Sequence, residues 1–214
     1  MKRRDLLKTG GAAVALSSMG GLVSAQDATE DAVQSTAIEI PDMVIGDADA
    51  PIEMIEYASF TCPHCARFHA DVYPLLKADY IDTGKVKFIY REVYFDRFGL
   101  WASMIARCGG EARFFGLSNL IYEKQRDWSA SGDPAIVIEE LRTLAKTAGL
   151  NDEALDACMS DAEQAQALVG WYQANAERDQ VSSTPSFLIN GEKHGNMNYA
   201  DMQVLLDGLL PDDA

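Results

Sequence analysis

Residues 52 to 69 read IEMIEYASFTCPHCARFH. Ile52 to Tyr57 form a short apolar, β-favouring run, and after it Cys65, Phe68, Val72 and Leu75 recur at helical spacing. The stretch therefore predicts a strand, a turn and a helix, with Cys62 near the helix N-terminus. Pro63 fits the first turn, where its missing N–H costs nothing. Pro74 should kink the helix, because it removes one backbone bond and clashes with the carbonyl of Ala70. A C-x-x-C pair at such a turn can clip a metal ion, lock a tight disulfide or cycle as a reversible dithiol.

The compartment bears on that choice, and the N-terminal stretch supplies it. MKRRDLLKTGGAAVALSSMGGLVSAQDA places Lys2, Arg3, Arg4 and Lys8 around a modest, Gly-rich apolar stretch ending at Val23-Ser24-Ala25. This is the pattern of a cleaved export signal over residues 1–25. RRDLLK resembles a bacterial twin-arginine signal, with Lys2 in place of the usual Ser or Thr and Leu6 in place of Phe. Residues 26–40, polar and acidic at their start, read as a flexible linker. All four cysteines, Cys62, Cys65, Cys108 and Cys158, come after the cleavage site, so an oxidising bacterial periplasm is the expected location. An even count there favours pairing; the close spacing of Cys62 and Cys65 makes them one couple and leaves Cys108 with Cys158.

The formal net charge of −15 argues against binding to nucleic acid or anionic membrane surfaces. With 48% hydrophobic residues among 214, the chain can bury the core of one domain. VKFIYREV, residues 86 to 93, predicts the next strand and completes a β-α-β unit. From Phe98 to about residue 179 the pattern is helical without strand runs, which predicts a helical insertion over 98–179. Asp133-Pro134 should open one helix, with Ile138, Leu141, Leu144 and Ala148 on its inner face and Gly149 at its end. Asn151 should cap the next helix, and Leu168, Trp171 and Tyr172 mark another; Phe114, Leu117 and Ile121 read as helix core. Ser186 to Ile189 predicts a strand turned by Asn190-Gly191, and Tyr199, Met202, Leu206 and Leu209 a closing amphipathic helix.

Strand, C-x-x-C helix, strand, hairpin and final helix is the order of an α/β thioredoxin-like fold, here with an inserted helical subdomain and its two halves at 41–97 and 180–214. IEYASFTCPHC (55 to 65), the insertion and VSSTPSFLING (181 to 191) together make the chain resemble the DsbA-like periplasmic thiol:disulfide oxidoreductases. That resemblance implies a disulfide donated to newly exported proteins through a mixed disulfide on Cys62, with Cys65 as the resolving thiol. A thiol at a helix N-terminus has its anion stabilised by free N–H groups and the dipole, and His64, if protonated, would add a positive charge.

The resemblance also places Thr184 and Pro185 at a cis-proline site for substrate docking. Thr184 stands where well-studied oxidases often carry Val and where isomerase relatives also carry Thr. Glu56 matches a family acid beneath the site: buried on a central strand it could relay a proton to or from Cys65, and otherwise it is a solvated strand-end acid. Cys108 and Cys158 are expected to form a structural disulfide that stabilises the insertion, with a second redox pair or two merely buried thiols as the alternatives. The implied partners are reduced or unfolded exported clients and a membrane-bound reoxidising or reducing partner; no cofactor is implied. An isomerase or reductase of the same fold is the alternative, and a metal-binding or assembly chaperone using the CPHC thiols a more distant one. His69, at i+4 from Cys65, could join the two thiols around zinc, but no fourth ligand is evident, so no metal is expected. His194 reads as a polar strand residue.

Overall fold

The computed structural model describes residues 38–211. The expected signal at 1–25 and most of the linker lie outside the described residues. The described strands are β1 (Met43–Ile45), β2 (Ile52–Ala58), β3 (Val86–Glu92), β4 (Ser186–Ile189) and β5 (Glu192–His194). The helices are α1 (Pro63–Asp71), α2 (Tyr73–Leu76), α3 (Arg97–Cys108), α4 (Glu111–Glu123), α5 (Gln125–Ser129), α6 (Pro134–Thr147), α7 (Asp152–Ser160), α8 (Ala162–Arg178) and α9 (Tyr199–Asp207). Six of them, α3 to α8, fall between β3 and β4.

The sheet runs β1-β3-β2-β4-β5, with β2 and β3 parallel and the other pairs antiparallel. The parallel pair is made possible by α1, α2 and a following π-helical turn, Lys77–Ile81, which form the crossover from β2 to β3. β2 is central and buried on both faces. Ile52, Met54 and Ala58 enter the main core with Phe68, Tyr73 and Leu76 of the crossover and Phe114, Leu117 and Ile121 of α4. Ile55 and Tyr57 meet Ile89, Val93, Tyr172 and Leu188 on the other face.

β1 was not foreseen. Three residues are too few to show a period, and what fixes them is antiparallel pairing of Met43 to Ile45 with Tyr90 to Phe88. Gly46 then turns the chain at φ +105°, and a Cβ there would lie 2.5 Å from the Val86 carbonyl oxygen, so only glycine fits. Just before β1, Ile40 is buried against Met104 and Leu168. The end of the 26–40 linker is thus anchored rather than flexible, because an apolar side chain gains more from that contact than its backbone loses by ordering.

The helices begin where their caps place them. Asp96, Asp133, Asn151, Asp161 and Asn198 each accept a backbone N–H of the first turn of the helix they precede. The expected kink before Pro74 falls at Val72, which stays in the right-handed region at φ −113° between the end of α1 at Asp71 and the start of α2 at Tyr73. The kink rotates α2 relative to α1, leaving Leu75 46% exposed and Leu76 buried. In α6 the buried stripe is Val137, Leu141 and Ala145, one residue from the expected Ile138 and Leu144. Leu209 lies beyond the end of α9 and is exposed. Asn190 (φ +48°) and Gly191 (φ +83°) make the tight turn between β4 and β5.

Cys108, the last residue of α3, is bonded to Cys158 of α7, with Cα atoms 5.9 Å apart and 50 residues between them in sequence. Cys62 and Cys65, expected as a second disulfide, are free thiols here, so the pair is in its dithiol state. No described helix is long and apolar enough to cross a membrane.

Candidate active site

Cys62 is the N-cap of α1, in extended conformation, with Pro63 at the first helical position. Its sulfur makes no full side-chain cap bond, but it sits at the mouth of the first turn, beside the unpaired N–H groups of the helix start. Cys65, one turn further in, is 0% exposed, while Cys62 is 7% exposed at the rim. The turn is held by its own backbone: Cys62 N–H donates to the Ser59 carbonyl at 3.0 Å, and Ala66 N–H donates to the Cys62 carbonyl at 3.1 Å.

These positions set the two sulfurs apart electrostatically. The Cys62 pKa is lowered from its ordinary 9.0 to about 5, first by a hydrogen bond from the Cys65 thiol. Burial opposes this, but the backbone N–H groups of Cys65 and His64 add to it. Burial instead pushes the Cys65 thiol far up, and its hydrogen bond to the Cys62 sulfur pushes it further. The reduced pair is therefore a Cys62 thiolate receiving a hydrogen bond from a Cys65 thiol. The anion sits on the sulfur that faces solvent.

His64 contributes through its backbone. Its Nδ1 lies 2.6 Å from the Arg67 guanidinium and accepts from it, which requires an unprotonated nitrogen. Its backbone N–H is among the groups that lower the Cys62 pKa.

The loop before β4 closes the site. The Thr184-Pro185 peptide bond is cis. The Thr184 carbonyl oxygen lies 3.5 Å from Cys62 Sγ and can accept from the protonated thiol. Beneath the sulfurs, Glu56 is 0% exposed on β2, paired in register with Tyr90 of β3 and Phe187 of β4. His194 lies on β5 opposite Phe187, as the strand residue it was read to be.

Two polar side chains join the site without having been anticipated in that role. His69 Nε2 meets Glu56 Oε2 at 2.9 Å, so the residue considered as a zinc ligand is instead the partner of the buried acid. Its place one helical turn after Cys65, on the inner face of α1, was the available signal. Gln125 of α5 is buried, and its Nε2 donates to the carbonyls of Phe60 (2.7 Å) and Cys62 (3.0 Å). One amide from the helical region thus pins both ends of the turn that carries the nucleophile. Nothing in its sequence context marks it, because its contacts are more than sixty residues away.

Comparison with known proteins agrees with this geometry. A family model described as thioredoxin matches residues 39–208. The "Putative protein-disulfide oxidoreductase" of Rickettsia bellii is 34% identical over 171 residues, covering 79% of this chain and 65% of that protein. A similarly named protein from Rickettsia conorii is 32% identical over 170 residues, 79% of this chain and 60% of the relative. The chain thus spans somewhat less than two thirds of the length of these curated relatives. The crystal structure of alpha-DsbA1 from Wolbachia pipientis superposes with a TM-score of 0.73 at 29% identity, over 80% of this chain and 92% of that one. BdbD from Bacillus subtilis shares the fold, with a TM-score of 0.69 at 23% identity over 78% and 92% of the two chains. The chain belongs to the thioredoxin family, and DsbA proteins are among its structural neighbours.

Proposed function

We propose that the protein is a thiol:disulfide oxidoreductase that works after export and donates the Cys62-Cys65 disulfide to newly exported proteins. The observation that carries this reading is the asymmetry of the two sulfurs: Cys62 held as a thiolate with a pKa of about 5, Cys65 held as a thiol. A sulfur stable as an anion is a good leaving group, so the disulfide form is the reactive one.

A client thiolate attacks Cys62 Sγ; the client–Cys62 bond forms, the Cys62-Cys65 bond breaks, and its electron pair goes to Cys65, which takes up a proton. A second client thiolate then attacks the first client sulfur, and Cys62 departs as the stabilised thiolate. The client is oxidised by two electrons and the protein is reduced by two. Thr184 and Pro185 supply the backbone edge beside Cys62 on which an extended client segment can lie. Glu56 exchanges the Cys65 proton, and the Cys108-Cys158 bond serves as a structural tie between α3 and α7. A membrane-bound partner would restore the disulfide.

The test is stoichiometric transfer. The oxidised protein is mixed with a reduced, unfolded protein of known disulfide content, and free thiols on both are counted by alkylation and mass. Two client thiols should disappear for each Cys62-Cys65 bond consumed, within seconds to minutes at neutral pH. No transfer to the client, together with reduction of insulin disulfides by the dithiol form, would instead make the protein a reductase.

A further inference from the structure

One proton must reach Cys65 when the disulfide is given away and must leave again when it is restored. Direct exchange with water is closed, because Cys65 and Glu56 are both 0% exposed. Exchange through Cys62 is closed as well while Cys62 is bonded to a client, since its sulfur then carries no proton and takes none.

A third route is built into the core. Glu56 commits Oε2 to His69 Nε2 at 2.9 Å and leaves Oε1 buried without a partner. His69 Nδ1 is likewise buried and unpartnered. The imidazole is held between the rings of Tyr73 and Tyr122, with centroids 4.8 and 4.3 Å away and interplanar angles of 28° and 23°. This stack keeps one nitrogen on Glu56 and the other directed elsewhere. His69 also lines a cleft of about 520 Å³, between α1, α2 and α4, whose walls include Ala66, Ala70, Tyr73, Lys77 and Glu123. Buried polar atoms without partners are uncommon, and two of them on the two ends of one hydrogen-bonded pair call for a reason.

Resting on the oxidoreductase reading above, we propose that His69 is the proton-transfer residue that connects Glu56, and through it Cys65, to water in this cleft. As the Cys62-Cys65 bond breaks, the Glu56 Oε1 proton passes to Cys65, the His69 Nε2 proton passes to Glu56 Oε2, and Nδ1 takes a proton from cleft water. Each group gives one proton and gains one, so the protein ends with a single added proton on Cys65. Reoxidation runs the same chain backwards and resets the tautomer, so the stacked ring never has to turn over. The other groups facing His69 are Cys65 on α1, Tyr73 on α2, Tyr90 on β3 and Tyr122 on α4, with Lys77 and Glu123 on the cleft wall. Burial holds the three phenols protonated, which leaves the Glu56–His69 pair as the carrier.

The dithiol protein is reacted with oxidised glutathione and quenched in acid at intervals, which separates formation of the glutathione mixed disulfide on Cys62 from its resolution by Cys65. In His69→Gln the first step should stay within about two-fold of wild type, and the second should slow by about a hundred-fold, the low end of general acid–base effects. Ala70→Trp, placed at an exposed position on the cleft wall, should slow the second step several-fold with Glu56 and His69 intact. Resolution as fast as wild type in folded His69→Gln, or in Ala70→Trp should His69→Gln not fold, overturns the proposal. Failure of the wild-type protein to form any mixed disulfide would overturn the oxidoreductase reading itself, and the two failures fall on different steps.

Discussion

Cys62→Ser will abolish disulfide transfer, and Cys65→Ser will convert the protein into a trap. Without the Cys62 sulfur there is neither a disulfide to donate nor a thiolate exposed to a client, because the remaining thiol at Cys65 is fully buried and held protonated. Cys65→Ser keeps the nucleophile at the α1 N-terminus and loses only the sulfur that resolves its adducts. Mixed with a client that carries disulfides, it should accumulate a covalent complex that a small reductant dissolves. Non-reducing gels with and without reductant read this directly. Transfer surviving in Cys62→Ser, or complexes formed through Cys65 in its place, would reverse the roles of the two sulfurs.

Replacing Cys108 and Cys158 together by Ala should cost on the order of 4 kcal/mol of stability, the chain-entropy value for closing a loop of 50 residues. For a chain of this size that corresponds to a melting temperature lower by about 10 °C, measured with the Cys62-Cys65 pair in the same redox state in both proteins. Transfer to clients should be retained below the new melting point, because α3 and α7 contribute no polar contact to the sulfurs among the hydrogen bonds described. A double variant that melts like the wild type but no longer transfers disulfides would make the second pair a redox centre instead.

How far the sequence reaches depends on the range of each interaction. The CPHC turn was legible because strand, proline and helix are local: the residues that place Cys62 at a helix N-terminus lie within about ten positions of it. Alternation along β2 put Glu56 on the face of Ile52 and Met54, but the sequence left a buried acid and a solvated strand-end acid equally open, and the strands on either side of β2 decide for burial. His69 could be placed on the inner side of α1, but its partner could not be read, since which acid it meets depends on how α1 packs on β2. Gln125 left no mark at all, because an amide with no charge and no motif takes its meaning from two carbonyls far along the chain. The stripe of α6 slipped by one residue for a related reason. Ile136, Val137 and Ile138 are all apolar, so periodicity cannot choose between them, and packing buries Val137 while leaving Ile136 50% exposed.

The central claim is that the fold stabilises Cys62 as an anion, and thiolate absorbance of the dithiol protein against pH measures it. Because the folded pKa is lowered, its contribution to the stability of the reduced form is complete above the unfolded value near 9 and is lost as pH falls through about 5. At pH 7 roughly two of the four units are in force, at most about 3 kcal/mol at 1.36 kcal/mol per unit, less the part that solvent screens at the rim of the site. The account predicts one sulfur titrating near pH 5, absent in Cys62→Ser, and a second that stays protonated throughout the accessible range. A single transition at about 8 to 9 for Cys62, the range of an ordinary thiol, would contradict it.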